Sequence, residues 1–570
     1  MKKINKYLTF TLLAGILGFV SCETVELDLT ENPNALVPEQ ASVDFFLNSI
    51  QEDFIRHIDG DADYDINDNF SSGGNTNGDG LSNIGLELTR LDNMSGRQYV
   101  SAYQGSDFDD EWANAYQGIL ADIRAMTPLA EEAGQTRHLA IAQFIEAYVI
   151  VSLVDFFGDI PYSEALQGAD NLNPRLDEGA SVYAAALDLL DQATDNFQNE
   201  TSNEPAVDLF YQNDYEAWIR AVNTLRMKIY LQTRLVDPSA LDNFYDIVDS
   251  GNYITSSDQD FQFNWPASSG TNPDTRHPRY GLNYQAAGAN DYLSNWLMNL
   301  MDTTNDPRIR YYFYRQTDAV PGAEIPPNEE LLNCSLESPP QHYVAGGFTF
   351  CYLDNGYWGR DHGDSDGVPP DGLLRTTYGV YPYGGRFDDD SFEAIAPGDG
   401  GGGRGITPIL TAALVDFMIA EAALAEANIG AAEAALTEGI STSIAKVQSF
   451  GSLDSSADHS FDPSAMDVTD YLNDVQTRFN TAPDLETRWN ILAEQFFIST
   501  FGNGIEAYNF YRRTGYPTTL QPNLEPDPGT FIRSLFYPSN VVNTNSNISQ
   551  KTNQTQAVFW DTNPSAPVAN

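Results

Sequence analysis

The stretch GYWGRDHGDSDGVPPDG, Gly356–Gly372, gathers one Arg, one His and four Asp among Gly and Pro. Three chemistries are open to it. With His362 as a base and Asp361, Asp364, Asp366 or Asp371 as partners, paired carboxylates about 5–10 Å apart could hydrolyse a glycosidic bond. The spacing fixes no nucleophile and no oxyanion donor, so it does not separate this reading from any Asp-rich loop. As hard oxygen ligands in a flexible loop, Asp361, Asp364 and Asp366 suit Ca²⁺ rather than Zn²⁺. As a contact surface, Tyr357 and Trp358 would stack on a sugar's CH face while Arg360 and Asp361 fix hydroxyls. The blander alternative packs Trp358 into the core and pairs Arg360 with Asp361 as a structural ion pair.

A second acidic run, DGDADYDINDN, places Asp59, Asp61, Asp63, Asp65 and Asn67 at alternate positions. It starts like an EF-hand loop and then departs from it. Tyr64 stands where Gly is needed and Phe70 where a bidentate Glu is needed. A solvated acidic loop with Asx-turns is the alternative. The glycine run Gly398–Gly405 has no following Lys-Ser/Thr and reads as a loop rather than a phosphate cradle.

Helices must position these loops. Apolar residues at helical spacing predict helices over 41–58, 110–130, 136–157, 180–197 and 214–236, then over a block at 407–448 and near 484–502. Gly158 and Pro161 mark one end. Successive antiparallel pairs of this kind make a tetratricopeptide-like solenoid, although no strict 34-residue period is present. The expectation is a mainly all-α fold. A helical scaffold covers 41–239 and 406–502, and a loop-rich ligand face covers 240–405. Loops that long are usually functional. Residues 41–570 are expected to form one domain.

The N-terminus carries Lys2, Lys3 and Lys6, then a short apolar run ending in Gly18-Phe19-Val20-Ser21-Cys22. That is a secretory leader over 1–21, too short to span a bilayer. Its end resembles a bacterial lipobox, which implies lipidation of Cys22 and a tether over 22–40; several acyl chains on one cysteine anchor stably. No other stretch is expected to cross a membrane. Cys334 and Cys351 remain, and in an exported chain such a pair reads as a disulfide, stabilising by about 3 kcal/mol; two buried free thiols are the alternative. The formal net charge of −52 repels nucleic-acid phosphate and anionic membrane surfaces.

Six segments, in order, resemble the SusD/RagB family of outer-membrane nutrient-binding lipoproteins: FGDIPYSEAL (157–166), WIRAVNTLRMKIYLQTRL (218–235), NDPRIRYYF (305–313), VDFMIAEAAL (415–424), GIEAYNFYRRTGYP (504–517) and RSLFYPSNVVNTN (533–545). Asn540 departs from the Glu common after Tyr-Pro. The resemblance implies a tetratricopeptide-like helical fold, display on an outer membrane, and a SusC-type TonB-dependent β-barrel transporter as partner. It implies an oligosaccharide ligand or, alternatively, an oligopeptide, and no catalysis or required cofactor. It also places contacts in two loop regions, one holding Tyr99 and Tyr103, the other Tyr357, Trp358, Arg360 and Asp361. A surface glycoside hydrolase or lyase, and a lid without affinity of its own, are the remaining alternatives. Arg220, Arg226, Lys228 and Arg234 on one helix are expected to pair with acidic neighbours rather than bind anions, and Arg512-Arg513, which looks like a basic patch, sits in a structural segment of the resemblance.

Overall fold

Long amphipathic and fully apolar segments become helices here because each has a buried face to fill and a local signal to stop it. The computed structural model describes residues 42–60, 80–94, 96–199, 201–267, 274–318, 337–364 and 374–563. Cys22 and its tether, Asp61, Asp63, Asp65, Asn67, Cys334, Asp366 and Asp371 lie outside them.

The longer helices are α1 Val43–Asp59, α2 Leu81–Leu88, α3 Ala121–Ala133, α4 Thr136–Phe157, α5 Gly179–Phe197, α6 Tyr215–Thr233 and α7 Ala240–Ser250. Then come α8 Asn295–Thr303, α9 Ala412–Ala425, α10 Ile429–Ser449, α11 Ala465–Thr481, α12 Leu485–Ser499 and α13 Gly504–Thr514. Shorter turns lie between them. Polar side chains cap several starts. Asp214 accepts from Ala217 N at 3.0 Å ahead of α6, and Asp484 from Thr487 N at 2.8 Å ahead of α12. Ser464 and Asp467 form a reciprocal capping box on α11.

In one half of the fold α4 packs on α5, α5 on α6 and α6 on α7; in the other α9 packs on α10, α10 on α11 and α11 on α12. Contact between α6 and α9 joins the halves. The architecture is helical, as the periodicity implies. The strands are short: Phe261–Asn264 pairs antiparallel with Ile406–Leu410, and Phe313–Tyr314 with Thr377–Tyr378. Residues Val43–Asn570 form one unit.

Three expectations are corrected. The helix expected over 110–130 is interrupted by a π-helical stretch at Asn114–Leu120, which periodicity does not reveal. The segment 240–405 carries α7, α8 and several single turns, and α13 lies beyond the 406–502 scaffold, whereas α11 lies within it, between the helices expected there. Finally, α4 is long and apolar enough to cross a membrane, yet 94% of that window is buried inside the fold. It is a core helix, apolar all round because neighbours surround it.

The family-like segments prove to be interior. Arg513 grips Glu421 through both carboxylate oxygens at 2.8 Å and donates to Gln232 at 2.7 Å. Arg234 reaches the same carboxylate at 3.0 Å, and Lys228 meets Glu506 at 2.6 Å. Arg512 donates to the carbonyls of Asp155 and Arg533 at 2.6 and 2.7 Å. Arg308 forks onto Asp306 at 2.8 and 2.6 Å with both residues buried. Unpaired, any of these charges would be costly inside the fold. Where α2 crosses α13, a Cβ on Gly85 would lie 2.1 Å from Gly504 O, so the backbones touch and only glycine fits.

Candidate functional site

Segments from four parts of the chain meet around Gly359–Asp364. Arg360 N donates to Leu293 O at 2.8 Å, and Asn295 N donates to Arg360 O at 2.9 Å. Gly363 N donates to Met94 O at 2.9 Å, Leu524 N to His362 O at 2.8 Å, and Tyr99 N to Pro528 O at 2.9 Å. A Cβ on Gly359 would stand 2.0 Å from Leu293 O, so glycine is what lets this loop lie against the start of α8.

This junction turns the loop's chemically equipped side chains inward. Trp358 is 4% exposed, Arg360 4% and Asp361 1%. Asp361 is not paired with Arg360. Its Oδ1 accepts from Asn295 Nδ2 at 3.1 Å and Gln521 Nε2 at 2.8 Å, and its Oδ2 from Cys351 N at 2.7 Å. Burial raises its pKa to about 6, against the pull of those donors. Both oxygens are engaged, which corrects the reading of Asp361 as a calcium ligand or a ligand-facing group. Asp364 is buried near Arg360, at 3.6 Å. Among the described residues no group of three or more His, Cys, Asp or Glu side chains could hold a metal ion. In the second acidic run Asp59 is engaged by Thr407 and lies 3.4 Å from His277.

His362 is buried too. Its Nε2 lies 3.1 Å from the Tyr99 hydroxyl, which accepts from Arg90 at 2.8 Å. Burial first, and Arg90 second, hold the imidazole well below its ordinary pKa, so it is neutral. Tyr99 therefore joins this loop as an interior strut. Tyr103 goes elsewhere: its hydroxyl donates to Glu87. Tyr357 lies under the Arg315 guanidinium, 4.8 Å from the ring centre. Trp358 packs with Cys351, Phe350, Tyr352 and Leu374. Cys351 is disulfide-bonded. Tyr99, Tyr357, Trp358, Arg360 and Asp361 thus form the floor of the junction, and Tyr103 does not.

Beneath that floor sits a carboxylate cluster. Arg279 donates to Asp291 at 3.1 Å, and Asn283 Nδ2 to the same oxygen at 2.7 Å. Tyr378 donates to Asp92 and lies 3.3 Å from Asp291. Burial, and then the neighbouring Asp291, push Asp92 well above the carboxylate range, and burial raises Glu87 to about 7.

The side chains that reach the surface are ones the sequence reading missed. Tyr292 is half-buried, with the Arg360 and Arg375 guanidinium carbons each 3.8 Å from its ring centre. Phe348, Phe350 and Tyr352 are half-buried beside buried Cys351 and Leu353. Arg97 and Glu525 form an exposed pair at 3.5 Å on the rim. The aromatic-rich stretch FTFCY, residues 348–352, was a usable signal by composition alone, because the chain turns at Cys351, where φ is 78° and Tyr352 N donates to Phe350 O at 3.0 Å. Planar rings beside guanidinium and amide donors can hold a ligand that offers both CH faces and hydroxyls. Among the described residues of this floor, Asp361 and His362 are buried and form no solvent-facing acid–base pair.

Two family models match the chain. One, SusD-like_2, described as starch-binding associating with outer membrane, matches residues 66–323; the other, described as SusD and RagB outer membrane lipoprotein, matches 405–558. No match was found among curated proteins. Among solved structures, a SusD homolog from Bacteroides fragilis shares 17% identity over 92% of this chain and 99% of its own, with a TM-score of 0.61. A chitin-binding SusD homolog from Flavobacterium johnsoniae shares 18% identity over 84% of this chain and 93% of its own, at 0.59. Another structure, called a chitin-binding protein, shares 20% identity over 84% and 94%, at 0.58.

Proposed function

Because the chain belongs to the SusD/RagB family of outer-membrane proteins, we propose that it captures oligosaccharides on the four-segment face and passes them to a SusC-type TonB-dependent β-barrel transporter. Cys22 carries the lipid anchor that holds it at the outer surface of the outer membrane. Cys334 is the disulfide partner of Cys351.

The observation that carries the reading is the exposed side of the junction. The half-buried rings Phe348, Phe350 and Tyr352 keep part of their surface open to solvent, and Tyr292 lies nearby with its ring held between the Arg360 and Arg375 guanidiniums. Trp358, Arg360, Asp361 and His362 hold that surface in place from below. Two structural relatives are described as chitin-binding, which makes β-linked N-acetylglucosamine oligomers the first ligands to try. The strong negative charge favours neutral over anionic glycans. Neutral, buried His362 supports capture without cleavage.

The test is calorimetric titration of the mature chain, with Cys22 replaced by Ser, against neutral and acidic oligosaccharides. Titrations are run with calcium and with chelator, and each mixture is assayed for cleavage. Saturable binding without cleavage, weakened by Phe350→Ala or Tyr352→Ala, is expected. Binding of peptides alone, or release of shortened glycans, overturns the proposal. Loss of binding in chelator would return calcium to the site.

A further inference from the structure

A second aromatic pair stands apart from this face. Trp489, on α12, and Tyr516, just after α13, are both half-buried, with ring planes 9° apart and ring centres 5.7 Å apart. The other rings paired with a tryptophan in parallel belong to the interior or its edge, as with Trp112 on Tyr116 and Trp218 on Phe197. Polar groups frame the pair and are held rigidly. Asn490 Oδ1 accepts from Thr518 N at 2.7 Å and from Thr518 Oγ1 at 3.1 Å, and Glu494 accepts from Thr519 Oγ1 at 2.7 Å. Among the described residues neither the Trp489 Nε1 nor the Tyr516 hydroxyl has a hydrogen-bond partner. They are donors left for an incoming group.

The pair is also wired to the face. From Tyr516 the chain runs through Thr519, whose carbonyl accepts from buried Trp296 Nε1 at 2.9 Å, to Gln521, which donates to Asp361 at 2.8 Å. A few residues of fixed backbone therefore separate the two surfaces. We propose that Trp489 and Tyr516 form a second platform that binds a neutral pyranose unit, extending the reach of the protein along a longer oligosaccharide. The parallel rings present CH-stacking area, and Nε1 and the phenol supply donors beside it, with Asn490 and Thr518 adjoining the two rings in sequence. Asp484 and Glu486 place negative charge beside the Tyr516 ring, which selects against uronic or sulfated units. This inference rests on the glycan-capture reading.

The test titrates the mature chain with disaccharides and hexasaccharides of the β-1,4-N-acetylglucosamine, β-1,4-glucose and α-1,4-glucose series. Trp489→Ala is expected to weaken hexasaccharide binding by about five- to tenfold and leave the disaccharide unchanged. Trp489→Phe, which keeps a planar ring, should recover most of the loss. If Trp489→Ala binds the hexasaccharide as the parent does, or if Trp489→Phe fails to recover binding while melting like the parent, the platform is refuted and the face reading stands. If the parent binds no hexasaccharide of any series, both readings fall together.

Discussion

Replacing Asp361 separates a floor residue from a ligand contact. Asp361→Ala removes the acceptor of three buried N–H groups, one each on the amides of Asn295 and Gln521, which keep their bonds to Cys351 O and Thr349 O, and the backbone N–H of Cys351. Each orphaned donor costs about 1–3 kcal/mol, and neighbours are not additive, so the total should be about 3–6 kcal/mol. Unfolding entropy is about 2.1 cal/mol/K per residue, so a chain this long shifts its midpoint by only about 1 °C per kcal/mol. The expected drop in Tm is about 3–6 °C. Asp361→Asn can keep its oxygen toward Asn295 and Gln521 and lose only the Cys351 bond, so its cost should be about 1–3 kcal/mol. Differential scanning calorimetry of both variants beside glycan titration decides the matter. A parent-like Tm for Asp361→Ala, with binding abolished, would refute the argument and restore Asp361 as a contact.

Four further outcomes can be checked directly. Glu87 and Asp92 have folded pKa values raised above their unfolded ones. Their stability contribution is therefore full below about pH 4 and falls as pH rises through the folded values, by up to about 1.4 kcal/mol per pH unit per group. Asp92→Asn should flatten part of that slope in urea melts between about pH 5 and 8, because Tyr378 can turn its hydroxyl to Asp291; an unchanged slope rejects the cluster as its source. Gly359→Ala must push Leu293 O away from 2.0 Å and should expose the start of α8 to limited proteolysis in the folded state. Glu421→Ala, which leaves Arg513 and Arg234 buried without a carboxylate, should cost about 3–5 kcal/mol. Removing Arg226, whose partner Asp191 is exposed, should cost about 0–1 kcal/mol in the same denaturant series.

Much of the scaffold could be read along the chain because its causes are local. The helix expected over 136–157 is α4 Thr136–Phe157, ended by Gly158 before Pro161, and the charged residues Lys228, Arg234 and Arg513 are paired within the fold. A period of 3.6 and a cap are written in neighbouring residues. The site was not legible in the same way. A Gly- and Pro-rich loop has no period, so nothing in GYWGRDHGD says which side chains turn inward. That direction comes from bonds to distant segments: Arg360 to Leu293, Gly363 to Met94, and Asp361 to Gln521, 160 positions away in sequence. Once those bonds form, Asp361 is buried with both carboxylate oxygens accepting hydrogen bonds and His362 is buried beside Tyr99, while Tyr292, Phe348, Phe350 and Tyr352 are left half-buried. Composition selects what a loop could do, whereas long-range backbone pairing selects which of its side chains meet solvent.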